Sequence, residues 1–132
     1  MKTGPAVRRR KAVASAGPAK FRADHLSALR NLLAGRDDVR EGRMFGHPAF
    51  FVGRRMFACV YGDGVGIKVP ASVAARLLER ADTEPFRPYG KPSMREWVQI
   101  NRASSGDYGG DLDVLLVSID FVARARKRER SS

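Results

Sequence analysis

Glycine-bearing turns divide the middle of this chain into segments too short to be anything but strands. Arg43 to Val52 reads as one strand, interrupted at Gly46-His47-Pro48, where the proline lacks a ladder donor and marks a bulge or an edge. Gly53-Arg54-Arg55 turns into a second, Met56 to Tyr61, and Gly62-Asp63-Gly64 turns into a third, Val65 to Val69. Connections this short join antiparallel neighbours, because a parallel pair needs a crossover of a dozen or more residues. The segment is therefore expected to be a three-stranded meander.

Helical periodicity flanks the meander. Phe21, Leu26, Leu29 and Leu33 recur on one face from Lys20 onward, Leu32 widens the stripe, and Gly35 is the expected stop. Pro70-Ala71-Ser72 opens a second helix, with Ser72 as cap and Val73, Leu77, Leu78 and Ala81 as its apolar face, ending near Asp82. Thr83 to Ser93, with three prolines, reads as loop, and Met94 to Asn101 as a fourth strand. A last helix begins near Asp111 with a core stripe of Leu112, Leu115, Leu116, Ile119 and Ala123. The expected fold class is α+β, a two-layer domain with an antiparallel sheet of about four strands and helices packed on it, in the order α-β-β-β-α-β-α.

Charge is distributed unevenly. The chain has 132 residues and a net charge of +11, but seven of its 25 basic residues lie within residues 1–22, where there is no acid. Five more stand in residues 124–132 beside Glu129 alone, which leaves 13 basic against 13 acidic residues between. The body is neutral, and its basic character belongs to its ends. The expected organisation is a disordered basic tail over 1–19, a domain over 20–123 and a basic C-terminal tail over 124–132. Arg8, Arg9, Arg10 and Lys11 at one end, and Arg126, Lys127 and Arg128 at the other, are the candidate phosphate contacts; about seven such contacts give a log–log salt slope near −6. Between Arg10-Lys11 and Ala14-Ser15-Ala16 only Ala12 and Val13 intervene, too little for the apolar stretch of a signal peptide. With one cysteine, Cys59, and no apolar run of membrane-spanning length, a cytoplasmic location is expected.

Motifs that carry chemistry are few. Gly62-Asp63-Gly64-Val65-Gly66 lacks the Lys-Ser/Thr of a phosphate loop and precedes a strand, so it reads as a hairpin turn. His25 and His47 stand apart from other metal-ligating residues, and Cys59 lies in an alternating strand without an identifiable basic neighbour. No catalytic, cofactor-binding or metal-binding residue is assigned. Lys68, Lys91, Arg95 and Trp97 are candidate contacts for a small ligand or anion, since they group cations with a ring. Val114, Val117 and Phe121 lie off the stripe of the last helix and form a candidate surface for a protein partner or a second copy.

Met44-Phe45-Gly46, the turn before Met56-Phe57, Asp63-Gly64 and Lys68, followed by Pro85-Phe86, Gly90-Lys91-Pro92, Met94 and Trp97, form an ordered set. This set resembles the amino-terminal domain of the TfoX/Sxy family over roughly residues 20–125. The resemblance implies the YjbR-like α+β fold and a role in transcriptional control, in some members of natural competence, with no catalytic residues to carry over. The chain departs from the family in having His47-Pro48 where further glycine is common. It also has a basic segment where the competence regulators have a second domain. The expected function is a non-enzymatic regulatory or adaptor domain acting through protein contacts, with nonspecific nucleic-acid binding through the tails or small-ligand binding as alternatives.

Overall fold

The computed structural model describes residues 20–90 and 94–131, with side chains through residue 125 in the last helix. Its elements are α1 (Ala23–Leu32), β1 (Arg40–Met44), β2 (His47–Val52), β3 (Arg55–Tyr61), β4 (Gly64–Lys68), α2 (Ala71–Leu77), β5 (Thr83–Pro85), β6 (Trp97–Ile100) and α3 (Leu112–Ser131). Short 3-10 turns occupy Pro88–Gly90 and Ser105–Asp111. The strands form one sheet in the order β1-β2-β3-β4-β6-β5, with every neighbouring pair antiparallel.

The expected sheet of about four strands, in the order α-β-β-β-α-β-α, is corrected to six strands in the order α-β-β-β-β-α-β-β-α. One extra strand comes from Arg40–Val52, which is a hairpin and not a single interrupted strand. Phe45 and Gly46 form its two-residue loop at φ 50° and 87°. Met44 and His47 close this hairpin as a hydrogen-bonded pair, so alternation leaves Arg43–Pro48 a non-hydrogen-bonded one. The missing N–H of Pro48 is therefore not needed by β1. The other extra strand, β5, lies inside the proline-rich segment and pairs Thr83–Pro85 with Ile100–Val98 at the sheet edge, where a proline is tolerated.

Side-chain alternation in β3 is broken once. Phe50 pairs with Ala58 but Phe51 with Met56, so Phe57 is an extra residue, a β-bulge. Phe57 and Ala58 both join the main core, while Met56, Cys59 and Tyr61 belong to the opposite face.

The main core lies under the helices. Phe50, Val52, Val60, Val65, Ile67, Val98 and Ile100 meet Leu29 and Leu33 of the first helical segment, Ala74 and Leu77 of α2, and Leu115, Ile119 and Val122 of α3. The buried stripe of α3 is thus rotated from the expected one. Leu116 is 40% exposed, and Ser118 faces inward, donating from its hydroxyl to the Phe57 carbonyl at 3.3 Å. Phe21 precedes α1 and bridges to Gly62 instead of extending the helix. Ser72 makes no capping bond; Pro70 holds the N-cap position of α2. The backbone of the segment read as a C-terminal tail is helical through Ser131.

A buried ion network ties the ends of these elements together. Asp111, 1% exposed, accepts from Arg102 at 2.9 and 3.0 Å and from Arg80 at 3.3 Å, and both arginines also reach Asp82. The neighbouring carboxyl of Asp82 is held below the usual carboxylate range, chiefly by its hydrogen bond from Arg80. His25 is fully buried beside this network and donates from Nε2 to the Arg102 carbonyl at 2.9 Å, which assigns its proton to that nitrogen.

Candidate functional site at the aromatic corner

Phe86 lies on the sheet face opposite the helices. Gly66 makes this possible. A Cβ there would stand 2.8–2.9 Å from three atoms of the Phe86 ring, so only a glycine lets the ring lie on β4. Phe86 packs on Trp97, with ring centroids 5.5 Å apart, and meets Tyr61 edge-on at 5.6 Å. Tyr61 stacks on His47 at 4.6 Å, and Tyr89 stands edge-on to both at 5.8 and 5.7 Å. Phe45 completes the row against Tyr89 at 5.9 Å.

Hydrogen bonds lock the outer end of this row. The Tyr89 N–H donates to the Tyr61 hydroxyl at 2.7 Å. The Tyr89 hydroxyl donates to the Phe45 carbonyl at 2.9 Å and lies 3.1 Å from His47 Nδ1. Since that hydroxyl has one proton to give, His47 is assigned as the Nδ1–H tautomer, donating back to the Tyr89 oxygen. His47 is fully buried, and its Nε2 has no hydrogen-bond partner among the described residues. The poorly solvated surroundings push the phenol of Tyr89 above its usual pKa, with the Tyr61 phenol adding to the effect.

Two residues of the corner hold a left-handed backbone that bulky side chains rarely adopt: Phe45 at φ 50° and Tyr89 at φ 58°. Phe45 is nonetheless 77% exposed and Tyr89 45%. The left-handed conformation costs on the order of 1–2 kcal/mol per residue. Its result is an apolar knob at the end of the β1–β2 hairpin, held by the hydrogen bond from the Tyr89 hydroxyl to the Phe45 carbonyl. Burial raises the Cys59 thiol to about 12, so it is inert behind Phe86 and Trp97. Among the described residues no group of three or more His, Cys, Asp or Glu is placed to hold a metal ion.

The sequence candidates fall into separate places. Lys68 and Trp97 are register partners on this same face, but Trp97 is buried against Phe86, and Lys68 is half-buried. Arg95 is exposed and lines a shallow depression with Ala71, Met94 and Glu96. Lys91 lies outside the described residues, as do Arg8, Arg9, Arg10 and Lys11 and the side chains of Arg126, Lys127 and Arg128. Val114 and Val117 line a groove of about 220 Å³ between α2 and α3. Val117 is 40% exposed, while Val114 and Phe121 are half-buried. Sequence reasoning missed Tyr89 and the role of Phe45. A bulky residue before glycine in a two-residue loop was the available signal for the latter.

The motifs at Met44-Phe45-Gly46 and Pro85-Phe86, some 40 residues apart in sequence, converge on this corner. Among the described residues no helix is long and apolar enough to cross a membrane. Searches of curated proteins and of solved structures return no match. The model of the TfoX N-terminal domain, a non-enzymatic regulatory or adaptor module, matches residues 31–107, which span all six strands and the whole aromatic corner. On that match, which takes in more than half of its length, the chain belongs to the TfoX N-terminal domain family.

Proposed function

We propose that this chain is a cytoplasmic regulatory adaptor of transcription, of the competence type, that docks a protein partner on the Phe45–Tyr89 corner. The observation that carries this reading is the Phe45 ring, 77% exposed on a backbone at φ 50°. Strain of this kind persists where the surrounding structure over-determines it, and such positions concentrate at binding sites. Here the Tyr89 hydroxyl donates to the Phe45 carbonyl, which holds the backbone that carries the ring. Aromatic residues are enriched at interface centres, and Tyr89, edge-on to Phe45 and 45% exposed, extends the patch. A partner with an apolar pocket for one aromatic ring fits it.

The test compares capture by the wild-type chain and by Phe45→Gly from the source cell extract, with nuclease present. A protein retained by the wild type and lost from the variant supports the reading. Equal capture by both, or capture that nuclease abolishes, overturns it.

Nonspecific nucleic-acid binding is favoured by a different observation. The backbone of α3 stays helical from the buried Val122 to Ser131, a stretch whose sequence holds Arg124, Arg126, Lys127, Arg128 and Arg130. In this reading affinity falls steeply with salt and disappears when residues 1–19 and 124–132 are removed.

A further inference from the structure

The sheet has an open edge at β1, whose one extensive neighbour is β2. Met44 and His47 close the β1–β2 hairpin as a hydrogen-bonded pair, and alternation then points the backbone groups of Gly42 and Arg40 toward β2. Those of Glu41 and Arg43 point outward, away from the sheet. Such a row of unpaired N–H and C=O groups is a template for another strand.

Charged side chains on an edge strand ordinarily prevent pairing. On β1 they are self-complementary. A second β1 can bond antiparallel to the outward groups in three registers. One sets Glu41 opposite Glu41 of the second copy, and another sets Arg43 opposite Arg43. The third sets Glu41 opposite Arg43 and Arg43 opposite Glu41, with Gly42 on the two-fold axis. Like charges directly opposite each other destabilise a strand pair and opposite charges stabilise it, so only the third register is favourable. It makes two hydrogen-bonded residue pairs, with the two Gly42 residues as the non-hydrogen-bonded pair between them. Glu41 is already held by Arg30 at 2.7 and 2.8 Å, which orients its carboxylate at the edge.

We propose that β1 is a self-association edge, through which two copies of this chain join their sheets into one continuous twelve-stranded sheet about a two-fold axis at Gly42. This inference does not rest on the docking role of the aromatic corner, because Phe45 follows β1 and lies outside the paired stretch.

Sedimentation equilibrium of the full chain tests it with three variants: Glu41→Arg, Arg43→Glu, and the double reversal. Each single reversal creates two like-charge pairs across the axis and weakens dimerisation by about tenfold or more. The double reversal restores the opposite-charge pairs and recovers most of the affinity. Arg30→Ala, which removes only the intrachain partner of Glu41, leaves dimerisation within a few-fold of the wild type. Circular dichroism checks that each variant is folded. A wild-type chain that stays monomeric up to its solubility limit overturns the proposal. So does a dimer indifferent to the single reversals, or a double reversal no better than either one. Phe45→Gly is expected to dimerise like the wild type, so failure of the docking reading and failure of this one are separable.

Discussion

Replacing Phe45 by glycine separates the presentation of a ring from the stability of the fold. At φ 50°, an aromatic residue forfeits on the order of 1–2 kcal/mol that glycine does not. Glycine loses about 0.5–1 kcal/mol through the greater freedom of its unfolded chain. The ring is 77% exposed, so only about a quarter of the roughly 1.5–3 kcal/mol of a fully buried apolar side chain is at stake. Its edge contact with Tyr89 adds about 0.5 kcal/mol. These terms nearly cancel, and Phe45→Gly is expected to unfold within about 1 kcal/mol of the wild type. Urea titration followed by circular dichroism measures this, with a midpoint shift below roughly 1 M and an unchanged slope. Phe57→Ala, at a fully buried phenylalanine, is the contrast and costs about 3–5 kcal/mol. A loss above about 2 kcal/mol for Phe45→Gly would refute the reasoning, because the ring would then be a structural prop and not a presented group.

Gly66→Ala is expected to cost about 1–3 kcal/mol by forcing the Phe86 ring off β4, seen as a lower urea midpoint and altered Trp97 fluorescence. Asp111→Ala removes the buried carboxylate that Arg102 and Arg80 share, while both arginines keep Asp82, and is expected to cost about 1–3 kcal/mol in the same assay. Cys59, with its thiol raised to about 12 and its side chain fully buried, should resist alkylation in the native protein and react at once in denaturant. The carboxyls of Asp82 and Glu41 sit below their usual range in the folded chain because arginines hydrogen-bond to them. Their contribution is therefore present at neutral pH and lost as pH falls through the carboxylate range, and Asp82→Asn should flatten the acid limb of the melting-temperature profile.

Much of the sheet was legible because its turns are written in glycine. Gly53 and Gly62 each take positive φ as the first residue of a two-residue loop, which fixes where β2, β3 and β4 end. At Gly62-Asp63-Gly64 the turn glycine is the first one; Gly64 is required instead because a Cβ would meet the Ile100 carbonyl at 2.6 Å. The first hairpin was hidden because its loop places phenylalanine where asparagine or glycine is usual. The strand Thr83–Pro85 was hidden because three residues carry no period, and its pairing is imposed by β6 alone. In α3 an apolar run left the choice of buried face to tertiary packing, which took Val122 inward and turned Leu116 out. The aromatic corner was half legible. Phe45, Phe86 and Trp97 are among the residues that carry the family resemblance, but only the fold brings Tyr89 to the Phe45 carbonyl.

The additional residue in β3 gives that strand an unusual tolerance. Removing Phe57 would restore a regular ladder in which Met56, Ala58, Cys59 and Val60 keep the faces they now occupy. A relative shorter by this one position would keep Tyr61 beneath its Tyr89 while losing a ring from the layer beneath the helices. Away from the Phe57-Ala58 pair, dropping one residue would carry every side chain on one side of the gap to the wrong face. Length variation in β3 is thus confined to a single place, at the expense of the core and not of the corner.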